Sequence, residues 1–391
     1  MQRAERKAAI TGIGISHIGR KTLRPAMELL ADAALAAMAD AGLSRDDIDG
    51  VATYPGLSAA GGGASPLGEV EVINALGIKA SWHSGSPEGP AQAVALMTAA
   101  MAVATEQARH VLVFRCLTES SSQPSGRQGI GTGSAAPIAG WLSWLVPMGA
   151  VSAVNWSAMF ARRRMHEFGL TREQIGAQAV LQRANAHSNP SAVMRGKPLT
   201  LDDYLSSRMI SDPLCLYDCD VPIDGAAAVI VSSRDAARDT RKTPLQIDAF
   251  GAGLFERFTW DQRADLTTMA AHDAAASMWA RTDLKPHDVD VAGLYDGFSI
   301  FVPMWLEAFG FCGRGESGPF IAAGHTAIGG DIPTNTGGGQ LSAGRLHGYG
   351  LLHEVCLQLW GEATGRQVEG AKIGIVGMGG GPLAGAILLT R

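Results

Sequence analysis

A tyrosine followed by an aspartate, Tyr295-Asp296, closes the apolar run in VDVAGLYDGF (289–298). A phenol at a strand end can donate to an oxyanion or relay a proton. The structural alternative is a core aromatic whose hydroxyl is simply satisfied. The glycine-rich segment NTGGGQLSAGRLHGYG (335–350) adds Arg345, His347 and Tyr349. Its run of three glycines is not a phosphate loop, because no Lys-Ser/Thr pair follows it. A third segment, DCDVPIDGAAAVIVS (218–232), holds Cys219 and the pair Asp224-Gly225. Cys219 reads first as a small buried cysteine. Asp224 is a capping or turn residue, and Gly225 permits a tight backbone.

The elements that must position these groups show an internal repeat. DAALAAMADAGLSRDDIDGVATYPG (32–56) aligns without gaps with DAAASMWARTDLKPHDVDVAGLYDG (273–297), at an offset of 241 that sets Tyr54 against Tyr295. Each copy reads as an Ala-rich helix, a capped turn and a short apolar strand. Ser44 before Asp46 and Asp47 is an N-cap with acidic first-turn residues, and Lys285-Pro286 opens a matching short helix. Strands expected at 8–15 and 245–250 begin the two units, which favours duplication over chance similarity. Further short apolar strands are expected at 110–114, 227–232 and 373–376, helices at 90–106 and 172–185, and loops at 61–63 and 120–133. Apolar strands alternating with helices imply sheets covered on both faces. The expected division is residues 1–245 and 246–391, with a long excursion at about 118–215 inside the first.

At 391 residues the chain is too long for one small core, and 46% hydrophobic against 18% charged residues gives ample apolar material to bury. The net charge of -5, with no basic stripe, argues against a nucleic-acid binder. Five cysteines (Cys116, Cys215, Cys219, Cys312, Cys356) lack zinc-site spacing and read as reduced thiols in the cytoplasm. The N-terminal MQRAERKAAITGIGIS has no signal-like apolar region. Residues 128–161 carry no charge, but Gly, Ser, Pro, Gln and Asn interrupt them, so a membrane span is not expected. A buried loop, a subunit interface or the wall of an apolar substrate tunnel is, with Trp141, Trp144 and Trp156 supplying area.

The three segments, together with GMGGG (377–381), resemble the thiolase superfamily, specifically its sterol-carrier-protein type, over nearly the whole chain. That resemblance implies an α/β protein with a thiolase-like fold: two duplicated βαβαβαββ halves, layered α/β/α/β/α. PAQAVALMTAAMAVAT (90–105), apolar or small on every side, corresponds to the buried helix that in thiolases begins with the nucleophilic cysteine. Counted back from the HVLVF strand, the nucleophile position falls at or beside Gly89, and no cysteine precedes Cys116. The second thiolase cysteine corresponds to Gly377. Tyr295 stands where those enzymes have a histidine before aspartate, and Arg345 stands at the histidine of their Gly-His-Pro motif, with His347 two residues on.

Claisen condensation through an acyl-enzyme needs a nucleophile to hold the acyl group. Without one, a thioester pocket with oxyanion donors and acid/base groups suits retro-aldol cleavage of a β-hydroxyacyl-CoA. The chain is similar to the thiolase-like lipid-transfer-protein aldolases, which remove side chains from steroid-CoA esters alongside a small OB-fold/zinc-ribbon partner. Those enzymes carry tyrosines at the positions of Tyr295 and Arg345, so the second tyrosine is missing here. The resemblance implies Tyr295 as first acid/base, His347 as second, and Asp296 and Arg345 as supports or thioester-oxygen donors. Tyr349 is a substitute for the absent tyrosine, and backbone N–H groups come from near Gly379 and Gly380. The missing side chain at Gly89 leaves room for a bulky acyl group. It also implies a CoA thioester as substrate, no covalently bound cofactor or metal, a homodimer, and the OB-fold partner. The alternatives are an acyltransferase using Ser84 (with His83), Ser86 or Cys219, and a non-catalytic acyl-CoA or lipid-binding subunit.

Overall fold

The computed structural model describes residues 3–56, 63–85, 91–122, 138–253 and 256–391. Among them lie β1 (Ala8–Ile15), β2 (Gly50–Thr53), β3 (Trp82–Gly85), β4 (His110–Thr118), a hairpin of β5 (Met209–Ser211) and β6 (Leu214–Cys215), β7 (Asp224–Ser233), β8 (Leu245–Gly253), β9 (Val291–Leu294), β10 (Ile373–Gly380) and β11 (Leu383–Thr390). The helices that position the site are α1 (Ala26–Ala41), α2 (Val94–Ala104), α3 (Ala153–Phe168), α4 (Arg172–His187), α5 (Ala270–Trp279), α6 (Phe301–Phe309) and α7 (Tyr349–Trp360).

Nine strands form one sheet in the order β3-β2-β4-β7-β1-β8-β11-β10-β9. Its two sides mirror each other across β1 and β8, which meet only where Ala9 lies opposite Gln246 and Ile10 opposite Leu245. Side-chain alternation assigns the layers. Along β7, Ala226, Ala228 and Ile230 pack with α1, whereas Ala227, Val229 and Val231 pack with α2 and α7. Along β11, Ile387 and Leu389 join that same central cluster, while Ala386 and Leu388 pack with α5 and α6. Both sides of the sheet therefore share α2 and α7 as a middle layer, which is why α2 is apolar all round.

The repeat appears as structure at the same offset. Short 3₁₀ turns occupy Arg45–Asp47 and Pro286–Asp288, and strands occupy Gly50–Thr53 and Val291–Leu294. One departure from the expected duplication is local. β3 lies beside β2, but on the side of β9 away from β10 the described residues offer only a single parallel bridge, Ala292 to Thr334. Pro333 donates no backbone N–H there. The Asn335 side chain takes the ladder's place, accepting from Leu294 N–H at 2.8 Å and donating to its carbonyl at 2.9 Å. β4 runs past the expected 110–114 to Thr118, because Arg115 to Thr118 continue the ladder with Ala227 to Asp224.

Candidate active site

The strand ends and the glycine-rich segment meet through backbone pairing. Tyr295 N–H donates to the Gly377 carbonyl at 3.0 Å, which seats the tyrosine against β10. Asp220 N–H donates to Gly297 O (3.3 Å), Val221 N–H to Gln340 O (3.1 Å) and Arg345 N–H to Val221 O (2.9 Å). Residues 218–221 thus thread between the other two segments. Asp218 pins this thread from below, accepting from Tyr204 Oη at 2.7 Å, from Cys215 N–H at 2.6 Å and from Ser299 Oγ.

These pairings frame a cleft lined by Tyr295, Asp220, Arg345, His347, Gly379 and Gly380. It opens at the N-terminal ends of both central helices, since Gln92 just before α2 and His347 just before α7 also line it. Helix N-termini carry partial positive charge and favour a developing anion. Tyr54 lines the same cleft, so the duplicated tyrosines converge on one site. Aromatic rings continue outward from Tyr295 through Phe301, Trp260 and Trp156 to Trp141, with centroids 4.8–6.5 Å apart. From the uncharged segment, Trp141, Ala153 and Trp156 are wall residues and Trp144 is exposed; its stretch from 128 to 137 lies outside the described residues.

The Tyr295 phenol is held well above its ordinary range, first by burial and then by the nearby Asp220 carboxylate, so it stays protonated through neutral pH. A side chain at Gly297 would meet the Tyr295 ring at 2.8 Å; the glycine lets that ring lie across the turn. His347 has a left-handed backbone (φ 50°) and receives a hydrogen bond on Nδ1 from buried Arg115 Nη2 at 2.8 Å. A guanidinium only donates, so Nδ1 must accept and the ring proton sits on Nε2. The sequence expectation for His347 is a second acid/base; the structure places it in the cleft and holds its Nδ1 against Arg115.

Arg345 is held by two carboxylates. Its Nε donates to Glu119 Oε2 at 2.7 Å, its Nη2 pairs with the same oxygen, and its Nη1 reaches Asp220 Oδ1 at 3.3 Å. Asp296 does not line the cleft. Fully buried, it accepts from Gln340 N–H (3.0 Å), Leu341 N–H (3.1 Å) and Gln182 Nε2, tying the strand end to the glycine-rich segment. Burial outweighs these donors and pushes its carboxyl up to about 7. Tyr349 is likewise a tie: its hydroxyl donates to Gln92 O at 3.2 Å, joining the starts of α2 and α7.

Neither Gly89 nor Ser86 is among the described residues. Ser84 and His83 are neighbours on β3, where adjacent side chains point to opposite faces, and His83 Nδ1 faces Glu69 Oε1 at 3.5 Å. All five cysteines are described and none lines the cleft. Burial raises the thiols of Cys116 and Cys312 to about 12, away from reactivity. At Gly377, a Cβ would lie 2.7–2.8 Å from the Trp305 indole, which is fully buried and donates Nε1–H to Gly379 O at 3.0 Å. The indole occupies the space a second cysteine would need. Gly377→Ala is therefore expected to lower stability by about 1–3 kcal/mol through overpacking, read as a reduced urea midpoint at unchanged slope. An unchanged midpoint would mean the ring moves aside freely.

Sequence reasoning missed Asp220, Glu119, Arg115 and Gln92. The signal for two of them was present: Arg115 directly extends the HVLVF strand and Asp220 sits between Cys219 and Val221. A charge inside an apolar run needs a buried partner.

The family model described as thiolase C-terminal domain-like matches residues 253–389. The chain is 36% identical to a steroid side-chain-cleaving aldolase of Thermomonospora curvata, over 97% of each chain. It is 37% identical to the 17-hydroxy-3-oxo-4-pregnene-20-carboxyl-CoA lyase of Mycobacterium tuberculosis, over 98% of this chain and 99% of that one. The solved Ltp2-ChsH2(DUF35) aldolase superposes with a TM-score of 0.87 at 35% identity, covering 99% of this chain and 98% of the other.

Proposed function

The chain belongs to the thiolase superfamily and, within it, to the side-chain-cleaving aldolases, and from that premise we propose how its own residues carry a retro-aldol reaction. The substrate is a β-hydroxyacyl-CoA. Its β-hydroxyl proton is removed, the bond between the α and β carbons breaks, and a ketone or aldehyde leaves. The electron pair passes into an enolate of the shortened acyl-CoA. The observation that carries this reading is a cleft with a phenol, an imidazole and a guanidinium but no thiol. Tyr295 and His347 Nε2–H meet the charge on the thioester oxygen, assisted by backbone N–H groups near Gly379 and Gly380. Such donors are typically worth about 3–4 kcal/mol each. Tyr295 then delivers its proton to the α carbon.

The aromatic wall from Phe301 to Trp141 suits a large, flat apolar acyl group, and a steroid-type CoA ester is the substrate class it favours. Residues 1–245 and 246–391 act as two halves, and the active protein is a homodimer in the cytoplasm. A small OB-fold/zinc-ribbon protein joins it, the reading supported by the DUF35 protein named with the related aldolase. Among the described residues no helix is long and apolar enough to cross a membrane.

The test is to incubate the purified chain, alone and with a DUF35-type partner, with a β-hydroxyacyl-CoA bearing a bulky ring system. Mass spectrometry is expected to find a released ketone or aldehyde and a shortened acyl-CoA. A trapped acyl-enzyme, or acyl transfer to free CoA, would instead establish a thiolase.

A further inference from the structure

We propose that the Gln340 carboxamide serves the reaction by donating Nε2–H to the Tyr295 oxygen, stabilising the phenolate left when that phenol gives its proton to the α carbon. The inference rests on the retro-aldol reading and deepens it by naming the group that makes Tyr295 a usable acid. Three observations carry it. First, Gln340 is 1% exposed, and its backbone is tied to the surroundings of Tyr295. Its N–H donates to Asp296 Oδ1 at 3.0 Å, on the residue after the tyrosine, and its carbonyl accepts from Val221 N–H at 3.1 Å. Second, the amide is fixed end for end. Gly348 N–H, at the start of α7, donates to Oε1 at 3.0 Å, and a donor there requires the oxygen, so the opposite end of the amide is Nε2. Third, that Nε2 is buried and closes no hydrogen bond of its own. A buried donor left in this state is costly and calls for a function.

The function is legible at Tyr295. Burial and the Asp220 carboxylate both oppose a negative charge on its oxygen; Arg345 works against them through its charge, and Gln340 does so as a hydrogen-bond donor. The contact is loose in the resting site, as catalytic hydrogen bonds often are before substrate binds, and it closes on the phenolate. In the step itself the Tyr295 O–H bond breaks and a C–H bond forms at the α carbon. The electron pair stays on the phenolate oxygen, which the amide meets without giving up its own proton. The β-hydroxyl proton released in the cleavage balances the one delivered, so no further reagent is needed.

Gln340→Met keeps the side-chain volume and removes the amide. The expected result is a kcat lowered about 10–100-fold, with calorimetric affinity for an acyl-CoA lacking the β-hydroxyl within about twofold of the parent. The same change is then made in Tyr295→Phe, where the amide has no phenolic oxygen to act on. There it should alter the residual rate, followed as shortened acyl-CoA over long incubations, by less than about twofold. A merely bracing role through Gly348 would lower both backgrounds alike. That additive fall, a kcat within about threefold of the parent, or loss of affinity in step with turnover overturns the proposal. Should Gln340→Met not fold, Gln340→Glu keeps an oxygen for Gly348 N–H and replaces the donor. Its rate relative to the parent should be low at neutral pH and recover as acid protonates the new carboxyl and restores a donor; a ratio that does not change with pH overturns the proposal. The parent and Tyr295→Phe are assayed first. No released ketone or aldehyde from the parent means that the reaction assignment has failed, and parental turnover in Tyr295→Phe means that the acid was misassigned, each separately from the role of Gln340.

Discussion

Tyr295→Phe is expected to lower kcat by about 10²–10⁴-fold while leaving the affinity for an unreactive acyl-CoA within about twofold. The substitution deletes one oxygen and keeps the ring, whose packing partner Phe301 lies 6.5 Å away between centroids. Packing and fold should therefore survive, and only the donor is lost. The large effect follows from two uses of one proton: it stabilises the enolate oxygen while charge develops and then protonates the α carbon. Because burial and Asp220 keep the phenol protonated well past neutrality, no limb of the pH–rate profile below about pH 9 should belong to Tyr295. Steady-state kinetics and calorimetry on the same preparation separate the outcomes. A variant with parental turnover would show Tyr295 to be a core aromatic, the bland reading of its position. A protein that binds the ligand but turns over none, before any substitution, would be a binding subunit.

Arg345→Met is expected to destabilise the fold by about 3–5 kcal/mol, because it removes the buried cation that Glu119 and Asp220 both pair with. Methionine fills much of the same volume, so the loss is electrostatic rather than a cavity. Adding Glu119→Gln to that variant should restore part of the stability, since one uncompensated charge is removed and the two sites are coupled. Urea unfolding of the parent, both single variants and the double variant gives the coupling directly. A cost below about 1 kcal/mol for Arg345→Met would mean that water or neighbouring groups already compensate these carboxylates.

The same cluster holds the arginine that stands where the resemblance implies a second tyrosine. A guanidinium cannot accept a proton in a protein, so Arg345 is not a base. The thread at 218–221 brings Asp220 to Arg345 through three backbone hydrogen bonds to the neighbouring segments.

Much of the architecture is local information. The repeat at an offset of 241 was legible because the turns Arg45–Asp47 and Pro286–Asp288 and the strands after them use capping and apolar patterns that fold with short-range contacts. Loss of the thiolase chemistry was legible too, since the absence of a cysteine before Cys116 needs no geometry. So was Tyr295, at the end of a strand whose length its residues determine. The roles within the site were not legible. Asp296 follows Tyr295 in sequence yet is directed into the glycine-rich segment, because successive side chains leave an extended chain on opposite sides. His347 is held through Nδ1 by Arg115, 232 positions away, and Arg345 is held by Glu119 at a separation of 226. The sequence alone determined the strands, the duplication and the missing thiols, which depend on neighbours along the chain. Tertiary structure alone decided which proton moves, because charge and tautomer in a buried cleft are set by groups that only folding brings within a few ångströms.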